Sequence, residues 1–187
     1  LRCGSTCWRG GLDRISGQDG PLRSDTTSIS LHDRTPRQQR VVLVTGPSGA
    51  GRSTAIRALV DALRRARICY DHLAGDLGVQ MLDSMKRQKL VRQSKQAIEL
   101  TGEGKRFMAE ELQIDADALT HPRRPVCKAC LDWSERRHHL AGTLGAAMMD
   151  RFTELKWAAR DATPGSRVVN FSRNGEKRFV ALFGAGE

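Results

Sequence analysis

The sequence predicts an α+β protein, mainly helical, whose C-terminal two-thirds consist of two tandem helix/β-hairpin/helix units. A seven-residue block occurs twice, as HLAGDLG at 72–78 and as HLAGTLG at 139–145, and a Cys-x-Asp sequence precedes each copy. A second block, LTGEGKRF at 100–107, returns as FSRNGEKRF at 171–179. Two blocks repeated in the same order, about 70 residues apart, predict two copies of one structural unit.

Three segments follow from the composition along the chain. Residues 1–40 are rich in Gly, Ser, Thr, Asp and Arg without an apolar period, which predicts a disordered segment or linker. Residues 41–66 are predicted to form a strand, a phosphate-binding loop and a helix. Residues 67–187 are predicted to form the repeat domain, with units at about 67–120 and 127–187.

The first helix of each unit is predicted from apolar residues at helical spacing. We expect both helices to face the core with these residues: Leu73, Leu77 and Met81 in the first copy, and Leu140, Leu144, Met148 and Phe152 in the second. Each unit should continue with a hairpin, at 89–92 with 97–100 and at 156–160 with 167–171. Thr-Pro-Gly-Ser at 163–166 supplies turn residues in the second hairpin.

The last helix of each unit is predicted from its start signal. Thr101 and Ser172 precede the two helices, where a hydroxyl can accept hydrogen bonds from free N–H groups. Gly184 lies where the second of these helices should end.

The charge of the chain favours acidic partners. Lys and Arg number 31 against 21 Asp and Glu, a net charge of +10, which indicates nucleic acid first and a merely solvated basic surface as the alternative. Nothing approaches the roughly 18 consecutive apolar residues of a membrane span. With no secretory signal in residues 1–40, we expect a cytoplasmic, non-membrane protein with reduced cysteines.

A phosphate-loop motif follows an apolar run at 40–45. Residues 46–54 read GPSGAGRST, the spacing of a nucleotide-binding loop with Arg52 in the position of the usual lysine. The predicted contacts to ATP or GTP with Mg²⁺ are Gly46, Ser48, Gly49, Gly51, Arg52, Ser53 and Thr54. Because arginine does not replace lysine freely at the phosphates, NTP hydrolysis would be weak. This segment, about 40–60, resembles the RNase-adapter family of P-loop nucleotide-binding proteins.

The repeat region, about 66–184, resembles the C-terminal region of ArsR-type winged-helix transcriptional regulators. The resemblance rests on CYDHLAG at 69–75, LTxxG at 100–104 and, most specifically, CLDWSERR at 130–137. It implies winged-helix-like units, a homodimer and binding to operator DNA. The chain departs from the family where a helix-turn-helix should precede the repeat, so its own recognition helix is missing from the pattern. The predicted DNA contacts are Arg87, Lys89, Arg92, Arg160 and Arg167.

The cysteine and histidine spacing predicts a site for zinc or another thiophilic metal. Cys127-x-x-Cys130 has the spacing of one arm of a zinc site, and Cys69-x-x-His72 would complete it if the two units face one another. The alternative is that these cysteines are small core residues. His72 and His139 occupy equivalent positions, each predicted to open an apolar helix, which favours packing or capping over catalysis.

Three functions remain open from the sequence. The leading hypothesis, implied by the resemblance, is a non-enzymatic regulator: the C-terminal, dimerising and sensing half of an ArsR-type transcription factor. No nucleophile, base and orienting acid occur at a convincing spacing. The second is a nucleotide-binding protein that uses the loop at 46–54. The third is an inactive fragment or a fusion of two unrelated pieces.

Overall fold

Five α-helices and four two-stranded antiparallel hairpins make up the part of the chain described by this computed structural model, residues 52–94 and 97–184. Helix α1, Arg52–Arg65, comes first. The first unit then contains β1 Arg67–Cys69, β2 His72–Ala74, α2 Asp76–Arg87, β3 Val91–Gln93, β4 Ile98–Leu100 and α3 Gly102–Leu112. The second contains β5 Lys128–Leu131, β6 His138–Ala141, α4 Thr143–Glu154, β7 Ala158–Arg160, β8 Val169–Phe171 and α5 Arg173–Phe183.

The start of each repeated block differs from the prediction. His-Leu-Ala is a strand in both copies, and the helix begins only after Gly75 or Gly142. These glycines have φ values of 84° and 96°, a backbone conformation that residues with a side chain rarely adopt. Leu73 and Leu140 are therefore buried core residues of strands. Each unit is hairpin, helix, hairpin, helix, and its relation to the winged-helix fold stays a prediction.

The later elements of each unit match the sequence pattern. The two predicted hairpins are present as β3 with β4 and β7 with β8. Both predicted N-caps are confirmed, because the hydroxyls of Thr101 and Ser172 each accept a hydrogen bond of 3.0 Å from the third residue beyond them. Gly184 is the C-cap of α5.

The two units share one hydrophobic core and pack reciprocally. Helix α2 lies against β6 of the second unit, while α4 lies against β2 of the first. A Cβ added to Gly78 would lie 3.4 Å from the Cβ of His139, and one added to Gly145 would lie 3.3 Å from that of His72. The second glycine of each repeated block therefore lets the histidine of the other unit approach closely.

Helix α1 leaves part of its apolar surface uncovered. Ile56, Leu59 and Val60 are between 38% and 49% exposed, although α1 contacts both α2 and β1. Among the described residues, no helix combines the length and apolar character needed to cross a membrane. The predictions for residues 1–51, including the linker, the strand and most of the phosphate loop, lie outside the described residues.

Candidate metal centre

Two cysteine–histidine pairs lie at equivalent places in the first hairpin of each unit. Cys69 pairs directly with His72 across β1 and β2, and Cys130 pairs directly with His139 across β5 and β6. Directly opposed residues in an antiparallel pair project from the same face of the sheet. Because β2 and β6 lie next to each other, the two pairs meet.

The four side chains converge at one point. Their potential ligand atoms, two sulfurs and two imidazole nitrogens, all lie within 4.8 Å of one another. The Nε2 atoms of His72 and His139 are 3.2 Å apart. Both histidines are buried, whereas the two cysteines are half-buried, so the cluster is held by the protein on one side and can be reached from the other.

Asp71 supports the histidine of the first unit. One of its oxygens lies 3.1 Å from His72 Nδ1, and the guanidinium of Arg124 binds both oxygens at 2.5 and 2.9 Å. The hydrogen bond from Arg124 lowers the pKa of Asp71 to about 2. Arg124 also donates to the carbonyl of Gly142 at 2.7 Å, so it ties the first unit to the start of α4.

Asp132 supports the histidine of the second unit. It is fully buried, accepts a 2.5 Å hydrogen bond from Arg67 and a 2.8 Å bond from the N–H of Gly75, and lies 3.2 Å from His139 Nδ1. Burial alone would raise the pKa of Asp132, but the bonds from Gly75, Arg67 and its own hairpin loop hold it well below its usual range. The Asp of each repeated Cys-x-Asp therefore faces the histidine of its own unit.

Both histidines favour the neutral form. Burial lowers the pKa of His72, despite the opposing effect of Asp71. Burial, followed by the proximity of His72, lowers the pKa of His139 to about 4. A neutral imidazole keeps one nitrogen lone pair, which is the form that binds a metal ion.

The structure corrects one predicted ligand. Cys69, His72 and Cys130 are brought together as expected, but the fourth member is His139 in place of Cys127. Cys127 is 7% exposed within the hydrophobic core, and burial raises the pKa of its thiol to about 11. Side chains three residues apart in extended chain point to opposite faces, so a Cys-x-x-Cys sequence entering β5 separates its sulfurs.

His139 was missed because Cys127-x-x-Cys130 has the spacing of one arm of a zinc site, so Cys127 was taken as the fourth ligand. The repeat itself carried the signal, since Cys, Asp and His recur in the same order in both copies. In the second copy, the six-residue hairpin loop between Leu131 and His138 lengthens the sequence between Cys130 and His139. A search for one fixed ligand spacing therefore does not match the two copies to each other.

The predicted DNA contacts are separate from this cluster and are all exposed: Arg87, Lys89, Arg92, Arg160 and Arg167. Of the predicted nucleotide contacts, Gly46, Ser48, Gly49 and Gly51 lie outside the described residues. Arg52 begins α1, and Ser53 and Thr54 are exposed in its first turn. A phosphate-loop domain also needs an acidic residue to hold Mg²⁺. Asp71, which follows the segment Arg-Ile-Cys-Tyr at 67–70 and is a candidate for that role, contacts Arg124 and His72 instead.

The comparisons with known proteins point in two directions. The family model of the RapZ-like N-terminal domain matches residues 39–126. The chain is also 40% identical over 117 residues to a protein of Bacillus subtilis (strain 168) named as the uncharacterized HTH-type transcriptional regulator YdfF. That match covers 63% of this chain and 50% of the relative, so the chain spans about half the length of the curated relative. No solved structure matches significantly.

The two matches overlap on the first unit. A 117-residue match within 187 residues must include residues 71–117, which also lie inside the RapZ-like match. Across the described residues every strand pairs in an antiparallel hairpin, whereas the phosphate loops of nucleotide-binding domains usually follow a strand of a parallel sheet. The sequence of the phosphate loop is thus matched, but the described strands do not form that sheet.

Proposed function

We propose that this chain acts as the sensing and dimerising half of a transcriptional regulator of the ArsR type, in the cytoplasm. The observation that carries the proposal is the 40% identity to a protein named as an HTH-type regulator. That match includes residues 71–117 and therefore His72 of the first Cys–His pair. A buried cluster where two units meet is suited to sensing, because a ligand there changes how the units pack.

DNA is the partner that the charge of the chain favours. The net charge is +10, and the second hairpin of each unit carries exposed arginines, Arg92 in β3, Arg160 in β7 and Arg167 just before β8. Such residues contact phosphates and position a protein without reading sequence. We therefore propose weak, largely sequence-independent contacts from this half of the regulator.

Binding to a duplex of arbitrary sequence should be measurable at low salt and steeply weakened by added salt. Each phosphate contact contributes about 0.9 to the slope of log affinity against log salt concentration. We expect the double variant Arg160→Ser/Arg167→Ser to reduce that slope by about 2. Fluorescence anisotropy of a labelled duplex, titrated at several salt concentrations, measures the slope.

The matched control is Arg106→Ser. Arg106 is also an exposed arginine, but it belongs to α3, where it pairs with Glu103. Its replacement should leave the slope unchanged. Binding that is insensitive to salt, or no binding at low salt, would contradict the proposed DNA contacts.

Sedimentation velocity on the same samples tests the proposed homodimer.

A second candidate function is nucleotide binding, which the match to the RapZ-like N-terminal domain favours. The residues that would contact the phosphates are those of the loop at 46–54, with the N-terminus of α1 adding its partial positive charge. Because the described strands form only hairpins, the function proposed here is nucleotide binding without efficient NTP hydrolysis.

Nucleotide binding predicts thermal stabilisation by Mg-ATP or Mg-GTP. A ligand at a hundred times its Kd stabilises the folded state by about 2.7 kcal/mol, which a thermal-shift assay detects. Gly51→Asp should abolish the shift, because it places a carboxylate where phosphate would bind. Equal shifts for the wild-type protein and this variant, or no shift for either, would exclude the loop as the site.

A further inference from the structure

We propose that Cys69, His72, Cys130 and His139 bind one zinc ion in a tetrahedral Cys₂His₂ site that joins the two units. The inference does not depend on the proposed regulatory function, since it rests on the positions of these four side chains. Two thiolates and two imidazoles form a donor set that suits zinc.

The distances suit a single ion. Zinc binds histidine nitrogen at about 2.0–2.1 Å in tetrahedral sites, which places two coordinating nitrogens about 3.3 Å apart. The two Nε2 atoms are 3.2 Å apart. Two thiolates on one zinc ion, each at about 2.3 Å, lie about 3.8 Å apart. The largest separation within the cluster is 4.8 Å, so small side-chain rotations bring all four atoms to coordination distance.

Two neutral histidines cannot complete their hydrogen bonds with each other and with the two carboxylates. A neutral imidazole has one N–H, and the Nδ1 atoms of His72 and His139 both face carboxylates, those of Asp71 and Asp132. If both protons are on Nδ1, two bare Nε2 lone pairs face each other at 3.2 Å. If one proton moves to Nε2, a bare Nδ1 faces a carboxylate instead. A metal ion between the Nε2 atoms removes this conflict.

His139 shows the conflict most clearly. Its Nδ1 atom is buried, lies 3.2 Å from Asp132 and yet has no well-aligned hydrogen-bond partner among the described residues. Buried polar atoms are rarely left in that state. With an ion on Nε2, the Nδ1–H group would point at Asp132, the carboxylate–histidine–metal arrangement typical of zinc sites.

The supporting carboxylates are themselves fixed. Asp71 is held by Arg124, and Asp132 by Arg67 and the N–H of Gly75. Orienting groups of this kind set the tautomer of a histidine ligand before the ion arrives. Because each unit supplies one cysteine and one histidine, the ion would crosslink the two units.

The test is zinc analysis of the purified 187-residue chain, kept reduced, stripped with chelator, reloaded with Zn²⁺ and desalted. We expect about one zinc per chain by elemental analysis. Titration with Co²⁺ should give the intense visible bands of a tetrahedral ion with thiolate ligands, and Zn²⁺ should displace it. Saturating zinc should also raise the melting temperature, because it binds the folded state.

Cys127→Ser is the matched control, because it removes a cysteine that directly precedes β5 and is not part of the cluster. It should keep one zinc and the Co²⁺ spectrum. Cys69→Ser and His139→Gln should each weaken Zn²⁺ binding by more than about 100-fold, and Asp71→Asn by about 10–100-fold. Circular dichroism checks that each variant folds. If His139→Gln does not fold, Cys69→Ser still tests the site, because Cys69 is only half-buried.

Two results would overturn the proposal. One is a reduced, folded wild-type chain that retains less than a tenth of an equivalent of zinc and gives no Co²⁺ spectrum, and the other is binding that survives Cys69→Ser but is lost in Cys127→Ser. The zinc analysis and the Co²⁺ titration are done without DNA or nucleotide. Absence of zinc binding would therefore refute the zinc site and not the proposed regulatory function. Absence of DNA binding would likewise leave the zinc site standing.

Discussion

Replacing Asp132 by alanine is expected to lower the free energy of unfolding by about 3–5 kcal/mol, because it leaves a buried charge without its partner. The side chain of Arg67 is only 2% exposed, and its shortest hydrogen bond is the 2.5 Å bond to Asp132. The same substitution removes the acceptor for the N–H of Gly75 at the start of α2. Urea denaturation in the presence of chelator measures the change without a contribution from metal.

The control for this prediction is Asp117→Ala. Asp117 forms an ion pair with Lys105, but its side chain is 75% exposed, so the loss should stay below about 1 kcal/mol. Adding Arg67→Met to Asp132→Ala should recover part of the stability, since it removes the unpaired charge. A cost for Asp132→Ala no greater than for Asp117→Ala would show that the buried pair does not stabilise the fold.

Replacing Gly142 by alanine is expected to cost about 2–6 kcal/mol, the sum of backbone strain and overpacking. The residue has φ 96° and ψ −174°, and an added Cβ would lie 2.3 Å from the carbonyl oxygen of Val126. That carbonyl accepts a 2.9 Å hydrogen bond from the N–H of Leu144. Displacing it would therefore also disrupt the first turn of α4.

Gly102→Ala is the matched control, because an added Cβ at this position meets nothing within 4 Å. We expect it to be neutral or to stabilise the protein by up to about 1 kcal/mol, since alanine restricts the unfolded chain. Thermal and urea denaturation of the two variants compare them directly. Equal effects would mean that the backbone at Gly142 can relax into a conformation open to alanine.

The proposed zinc ligands, Asp132 and Gly142 lie at the same interface between the two units. Asp132 contacts Arg67 and Gly75 in the first unit and faces His139 in its own. Arg124 similarly connects Asp71 to Gly142. The residues that would orient the ligands are therefore also those that hold the two units together, so zinc occupancy and unfolding free energy should rise together in the wild-type chain.

Local patterns in the sequence predicted the elements that depend on neighbouring residues. The hairpins at β3–β4 and β7–β8, and the N-caps at Thr101 and Ser172, follow from short-range turn and capping chemistry. The same reasoning placed Leu73 and Leu140 in helices, because a strand of three or four residues followed by a helix gives apolar spacing that resembles one longer helix.

By itself, the sequence determined that the chain contains two equivalent units and that cysteine and histidine recur in both, since repetition requires no knowledge of contacts. Only the tertiary structure decided which of those residues meet. Strand pairing places Cys130 opposite His139 and leaves Cys127 in the core, because side chains alternate along extended chain. The packing of α2 on β6 and of α4 on β2 then brings together two pairs whose histidines are 67 residues apart.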